Sequence, residues 1–222
     1  MKKKIRAVIF DLDGTLLDTA PDFVVAVNQL RIQHQLPLLA DDIIRAQVSN
    51  GARALVKLAL TIDEDHLDFE QHRKTLLSAY LQHIAVHTKP FVGIERLIRL
   101  LADHNIVWGI ATNKPATYTL PLMAALNMQP PPSCVICPDH VSRAKPDPES
   151  LLLASQQLNC APNEIIYVGD HLRDIECGKA AGSITIAAAY GYIDEGDTAE
   201  SWRADYIVQS AEDIWPIVQG YL

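Results

Sequence analysis

Apolar positions along the chain follow two different rhythms, and the change of rhythm divides it. Ala7-Val8-Ile9-Phe10 is a short unbroken apolar run rich in strand formers, the pattern of a strand buried on both faces. A helical period follows it instead of a second strand. Pro21 suits a first helical position, and Phe23, Val24, Val27 and Leu30 recur at helical spacing until Leu36-Pro37 breaks the pattern. The spacing predicts further helices over 41–48, over 52–60 beyond an Asn50-Gly51 loop, and over 65–86. The apolar face of the last draws on Leu67, Leu76, Leu77, Tyr80, Leu81 and Ile84. Four helices in a row make a small bundle of their own.

After Pro90 the pattern alternates. It predicts helix over 93–104, strand over 106–111, helix over 115–126 and strand over 134–137. Helix over 148–158, strand over 165–168, helix over 172–181 and strand over 185–188 come next, then a last strand over 206–208 and a short C-terminal helix. Such alternation implies an α/β fold, a doubly wound parallel sheet with a Rossmann-like core, covered by helices on both faces. The helical bundle is then an insertion between the first and second core strands. The expected division is a core of residues 1–17 and 88–222 and a helical cap domain of residues 18–87. The linkers, near Leu17 and Thr88, lie beside the expected site, where a hinged lid would be attached.

The chain has 222 residues, enough to bury a full core. A formal net charge of −8 argues against nucleic acid or an anionic membrane as the main partner. Met1-Lys2-Lys3-Lys4 is basic, but the apolar run after it is far too short for a signal peptide or a membrane span. The expectation is a cytoplasmic enzyme with a small-molecule substrate. Cys134 and Cys137 form a C-x-x-C, yet no second ligand pair lies at zinc spacing, and the segment reads as a strand rather than a redox helix start. A structural role is expected for them.

Candidate chemistry concentrates where strands end. Asp11-Leu12-Asp13-Gly14-Thr15 follows the first strand directly, and alternate positions there point to one side. Two crowded carboxylates cost free energy unless a cation or a shared proton relieves them. The pair therefore suggests a metal and a division of labour between a nucleophile and a proton carrier. A calcium loop would need more alternating oxygens and a late glutamate, which Thr15-Leu16-Leu17-Asp18 does not supply. Thr112 and Asp170 fall at two further strand ends, and ligands of such sheets bind beyond the carboxyl ends of the strands.

These signatures come in a set order: Asp11 to Thr15, Ala111 to Pro115, Lys145-Pro146-Asp147-Pro148, and Val168-Gly169-Asp170 with Asp174. The set resembles the four motifs of the haloacid dehalogenase superfamily of phosphatases, over essentially the whole chain. Longer strings, among them Asn50-Gly51-Ala52-Arg53-Ala54, Cys137-Pro138-Asp139-His140-Val141 and Tyr190-Gly191-Tyr192-Ile193, are most similar to its phosphoglycolate phosphatase-like branch. Within that branch they are most similar to the group acting on N-acetylmuramic acid 6-phosphate in peptidoglycan recycling.

The resemblance implies Asp11 as nucleophile, forming an aspartyl-phosphate, and Asp13 as proton carrier. It implies Thr112, Asn113 and Lys145 as phosphoryl-binding groups, with Lys145 between Asp11 and the phosphate. Mg²⁺ is expected on Asp11, the backbone carbonyl of Asp13, and Asp170. Arg53, on the loop of the inserted helices, is expected to read the substrate. Asp174 would orient a metal-bound water or favour its helix N-terminus. His171 stands where close relatives often carry a second acid, which argues for an indirect or exposed place. His87, His140 and Lys114 are weaker candidates for the same cleft. The expected activity is a Mg²⁺-dependent phosphomonoesterase, with a phosphoglycolate phosphatase or a sugar phosphomutase as the alternatives. A metal-free dehalogenase disagrees with Asp13 and Asp170.

Overall fold

The structure is a computed structural model that describes residues 4–194 and 196–222. Residues 1–3, most of the basic start, lie outside the described residues. The strands are β1 (Ala7–Phe10), β2 (Leu17–Asp18), β3 (Lys89–Pro90), β4 (Val107–Ala111), β5 (Val135–Ile136), β6 (Ile165–Gly169), β7 (Ile184–Ala188) and β8 (Tyr206–Val208). The helices are α1 (Ala20–Gln33), α2 (Asp41–Arg45), α3 (Gly51–Leu60), α4 (Phe69–Gln82), α5 (Ile94–Asp103), α6 (Ala116–Leu126), α7 (Glu149–Gln157), α8 (Leu172–Ala181) and α9 (Ile214–Gln219).

Six strands form one sheet in the order β5-β4-β1-β6-β7-β8, every neighbouring pair parallel. Because side chains alternate across a strand, β1 serves two cores. Val8 and Phe10 join Ile94, Leu97, Ile98 and Leu101 of α5 and Ile214 and Val218 of α9 on one face. Ala7 and Ile9 join Leu151 and Ala154 of α7 and Cys177 of α8 on the other. Each fully buried aliphatic side chain here contributes about 1.5–3 kcal/mol through removal from water. Burial on both faces accounts for the uninterrupted apolar run of β1. No helix among the described residues is long and apolar enough to cross a membrane.

Helices α1 to α4 lie between β1 and β4 in sequence and enclose an apolar cluster of their own. Phe23, Val27, Leu30, Ile44, Leu55, Val56, Leu76 and Tyr80 are buried in it. The expected long helix is shorter than its apolar pattern. Turns precede Phe69, and Ala85 takes a positive φ after the helix ends. Leu67, ahead of the helix, is therefore fully exposed; Leu81, within it, faces outward at 40% exposure, while Leu76 and Tyr80 are buried. The predicted helix over 41–48 is likewise split into α2 and a 3-10 turn at Val48–Asn50.

The sequence pattern missed the element that joins the two parts. β2 and β3 pair antiparallel, Leu17 opposite Pro90 and Asp18 opposite Lys89. Two-residue strands carry no readable period. Asp22 of α1 fastens the returning chain beside them. Its buried carboxylate accepts hydrogen bonds from the backbone N–H groups of His87 (2.8 Å) and Thr88 (3.1 Å) and from the Thr88 hydroxyl (2.6 Å).

Asp22→Ala would leave those donors without their acceptor. We expect a stability loss of about 2–4 kcal/mol, measured by denaturant unfolding, with Asp22→Asn losing less because it keeps an acceptor oxygen. A loss below about 0.5 kcal/mol for the alanine variant would mean that water replaces the carboxylate.

Candidate active site

The carboxyl ends of β4, β1 and β6 lie side by side at the centre of the sheet, and each continues directly into a polar residue: Thr112, Asp11 and Asp170. Asp11 N–H still donates to the Val168 carbonyl (2.8 Å) and Thr112 N–H to that of Ile136 (3.0 Å), so the sheet's own bonding holds both residues.

Lys145 ties this edge together. Its side chain is fully buried, with Nζ 2.8 Å from Asp11 Oδ1 and 2.7 Å from Asp174 Oδ1. It also donates to the Ala111 carbonyl (3.0 Å) and to Tyr167 Oη (2.9 Å). Burial by itself would raise the Asp11 carboxyl. The Lys145 ammonium, with help from Arg173 and the Leu12 N–H, more than offsets this and holds it below the ordinary carboxylate value. Burial would equally lower Lys145, and its two carboxylate partners keep it raised and charged.

Asp170 is fully buried without a cationic partner of this kind. Thr15 Oγ1 and Tyr192 N–H donate to its two oxygens, each at 2.8 Å, and Ser49 Oγ reaches it at 3.3 Å. Burial, together with the charges of Asp11 and Asp174, pushes its carboxyl up to about 8. Ligand atoms of Asp11, Asp170 and Asp174 all lie within 4.8 Å of one another. Three buried carboxylates this close form a hard-oxygen donor set suited to Mg²⁺, and a divalent cation would offset the repulsion that raises Asp170. Gly14 makes the packing possible. With φ +80° its backbone lies so close that an added Cβ would fall 2.0 Å from Asp170 Oδ2.

Asp13, expected beside Asp11, turns its carboxylate toward Lys114 and Thr19. Lys114 Nζ lies 2.9 and 3.2 Å from its two oxygens, and Thr19 Oγ1 donates at 2.6 Å. Lys114 is buried, with its ammonium 4.8 Å from the ring centre of Phe23 and 4.5 Å from that of Tyr80, two rings of the inserted helices stacked at 3.9 Å. Burial would lower this ammonium, and the Asp13 carboxylate outweighs it and raises it. Nothing in the sequence around Lys114 signals this contact, because its partners come from 101 residues away and from α1 and α4.

The other expected residues have the following partners. Asn113 lines the cavity, and its side chain is engaged with the Lys145 backbone. It donates to the Lys145 carbonyl and accepts from the Lys145 N–H, both at 3.0 Å, and so joins two loops. Thr112 lines the cavity and its hydroxyl accepts from Lys114 N–H at 3.1 Å. Arg53 also lines the cavity, but its guanidinium pairs with Glu64 (2.8 Å) and Glu70 (2.7 Å) and is half exposed. Asp174 caps α8 by accepting from His171 N–H (3.1 Å), besides pairing with Lys145. His171 is half-buried, with Nδ1 accepting from Arg173 N–H (3.2 Å). His140 Nδ1 accepts from Cys137 N–H, and His87 donates its own N–H to Asp22. All four cysteines are free and buried, and burial pushes the Cys134 thiol up to about 11. Such thiols are inert at neutral pH, in keeping with a structural role.

A cavity of about 580 Å³ opens between this edge and the inserted helices. Asp11, Asp13, Thr112, Asn113 and Lys114 line one side; Phe23, Leu77, Tyr80, Arg73 and residues 48–53 line the other, and Arg173 of α8 also lines it.

Residues 8–188 match the family described as haloacid dehalogenase-like hydrolase. The chain belongs to this family and is a hydrolytic enzyme of its phosphatase branch. It is 42% identical over 219 residues to the N-acetylmuramic acid 6-phosphate phosphatase of Pseudomonas putida, covering 99% of this chain and 98% of the relative. Identity to the phosphoglycolate phosphatase of Xanthomonas campestris pv. campestris is 36% over 214 residues, 95% of each chain. Among solved structures, that of a predicted phosphoglycolate phosphatase from Haemophilus somnus has the same fold, with a TM-score of 0.85 at 22% identity, covering 97% of this chain and 98% of that one.

The raised Asp170 carboxyl gives the cation-free protein a specific pH dependence. Folding lifts it from 3.8 to about 8, so the folded state holds this proton more tightly than the unfolded state does. Its contribution to stability is complete below pH 3.8 and is lost as pH rises toward 8. The depressed Asp11 carboxyl acts oppositely and only in the acid range. A bound divalent cation favours ionised Asp170. The Mg²⁺-induced rise in melting temperature is therefore expected to be larger at about pH 8.5 than at about pH 5. Equal rises would remove Asp170 from the cation site.

Proposed function

We propose that this enzyme is a Mg²⁺-dependent phosphomonoesterase that converts N-acetylmuramic acid 6-phosphate to N-acetylmuramic acid in the cytoplasm. The observation that carries the reaction is Asp11, buried at a strand end, ionised by Lys145 and facing a cavity that Asp13 also lines. The substrate rests on end-to-end similarity to a phosphatase of that name, and the cavity's volume suits a sugar ring better than a two-carbon acid.

In this mechanism the Asp11 carboxylate attacks phosphorus. The P–O bond to the sugar breaks, and an aspartyl-phosphate forms. Asp13 enters the cycle protonated, gives that proton to the departing alkoxide, and regains one from the water that hydrolyses the acyl phosphate, releasing phosphate and restoring Asp11. Thr19 and Lys114 hold Asp13 for both transfers. Lys145 keeps the nucleophile ionised, and Asp174 and Tyr167 keep Lys145 in place. Asp11, the Asp13 carbonyl and Asp170 would hold Mg²⁺, with Asp174 behind them; when bound it would neutralise charge between carboxylate and phosphate. The inserted helices act as a cap hinged at β2 and β3, closing the cavity over the sugar.

Asp11→Asn is expected to abolish turnover with the melting temperature near that of the native chain, since an amide is a poor nucleophile. Retained activity would remove Asp11 from the chemistry. The substrate is tested by kcat/KM for N-acetylmuramic acid 6-phosphate, phosphoglycolate and N-acetylglucosamine 6-phosphate. The muramic ester should be preferred over both. More efficient turnover of phosphoglycolate would overturn the substrate and leave the phosphatase.

A further inference from the structure

Arg173 takes no part in the steps above, yet its surroundings single it out. It stands in the first turn of α8, three residues past Asp170, and its side chain crosses from the sheet edge to the inserted helices. Nη2 donates to the Ser49 carbonyl at 2.5 Å. Nε is sealed from solvent and has no acceptor among the described residues. A guanidinium N–H withdrawn from water without an acceptor is costly, and native structures retain such a group where a ligand completes it.

Residues 49 and 50 meet the core at two further points. Ser49 Oγ donates to Asp170 Oδ2 at 3.3 Å, and Asn50 Nδ2 donates to Asp194 Oδ1 at 2.7 Å. The other cations of the cavity wall are already taken: Lys114 by Asp13, Arg53 by Glu64 and Glu70, and Arg73 by Glu70. Arg173 alone among these four has a buried donor without a partner. Arg173 and the nucleophile Asp11 line the same cavity.

We propose that Arg173 is a substrate-binding residue, its guanidinium turning the unpaired N–H out to a phosphoryl oxygen of the ester at Asp11 while Nη2 holds the Ser49 carbonyl. Occupancy of the phosphoryl position is thereby coupled to seating of residues 48–51 on the site. A planar guanidinium can serve both acceptors at once; an ammonium in its place keeps the charge but loses the fixed fork. This rests on the phosphomonoesterase reading, and a sugar carboxylate is the competing acceptor.

The test uses the full chain with Mg²⁺, inorganic phosphate as the ligand probe, and the variants Arg173→Gln and Arg173→Lys. Arg173→Gln should raise KM for p-nitrophenyl phosphate and the inhibition constant of phosphate together by about 10–100-fold, the range of a lost charge-assisted hydrogen bond. Arg173→Lys should raise both by less. Phosphate should slow amide hydrogen exchange at 48–51 in the native chain and not in Arg173→Gln. Arg173→Lys carries the test if the glutamine variant does not fold. An unchanged phosphate inhibition constant would overturn the proposal. So would a loss confined to the carboxylate-bearing muramic ester, or unchanged exchange at 48–51 in the native chain. Phosphate-dependent protection that needs Arg173, in a chain that hydrolyses no phosphomonoester, would uphold the binding role and sink the reaction instead.

Discussion

A single buried ammonium reconciles the sheet edge with the charges it carries. Lys145 sits between Asp11 and Asp174 with no side-chain exposure, and Asp170 lies within the same cluster. Without that cation, Asp11 and Asp174 would lose their direct ion pair, and burial would drive both toward the neutral acid. Lys145 itself is held by the Ala111 carbonyl, by Tyr167 and, through its backbone, by Asn113. The residues that position the ammonium therefore come from β4, β6 and the loop after β4, and the polar edge depends on the central sheet.

One positive charge is not enough for three carboxylates. Lys145 pairs with two, of which Asp174 is still raised by burial, and the third, Asp170, is left with hydrogen bonds alone and a carboxyl pushed up to about 8. That burial, together with the repulsion of Asp11 and Asp174, is the physical reason to expect a divalent cation here, and the close packing of Gly14 and the Tyr192 N–H hold Asp170 in place. The inserted helices respond to the same charges. Lys114 reaches Asp13 beneath the stacked Phe23 and Tyr80 rings, and Ser49 touches Asp170. Seating of the helices and the electrostatics of the edge are therefore linked.

The parallel sheet was legible in the sequence because its strands are buried on both faces, and short unbroken apolar runs such as 7–10 and 165–168 suit few positions outside the middle of such a sheet. Asp11, Thr112 and Asp170 were legible because each directly follows such a run. Features that depend on contact between distant segments were not. The β2–β3 pair is too short to have a period. Lys114 finds Asp13 across 101 positions, and the Asn113 side chain bonds the Lys145 backbone from the wall of the cavity. Leu67 and Leu81 fit a helical stripe but lie where the chain turns or faces water, so periodicity overextended α4. Arg53 looked free in sequence only because Glu64 and Glu70, which pair with it, lie 11 and 17 positions away.

The claim on which the reaction depends is that Lys145 makes Asp11 an ionised nucleophile. It is tested most directly by trapping the covalent state. The Asp13→Asn variant is mixed with p-nitrophenyl phosphate and Mg²⁺, quenched in acid, and its peptides are sequenced by mass spectrometry. The activated leaving group needs little protonation, while hydrolysis of the acyl phosphate still needs Asp13. A phosphoryl group should appear on Asp11, and the double variant Asp13→Asn with Lys145→Met should lose it. Phosphorylation of a different residue, or none at all in a variant that still releases one equivalent of p-nitrophenol, would contradict Asp11 as the nucleophile.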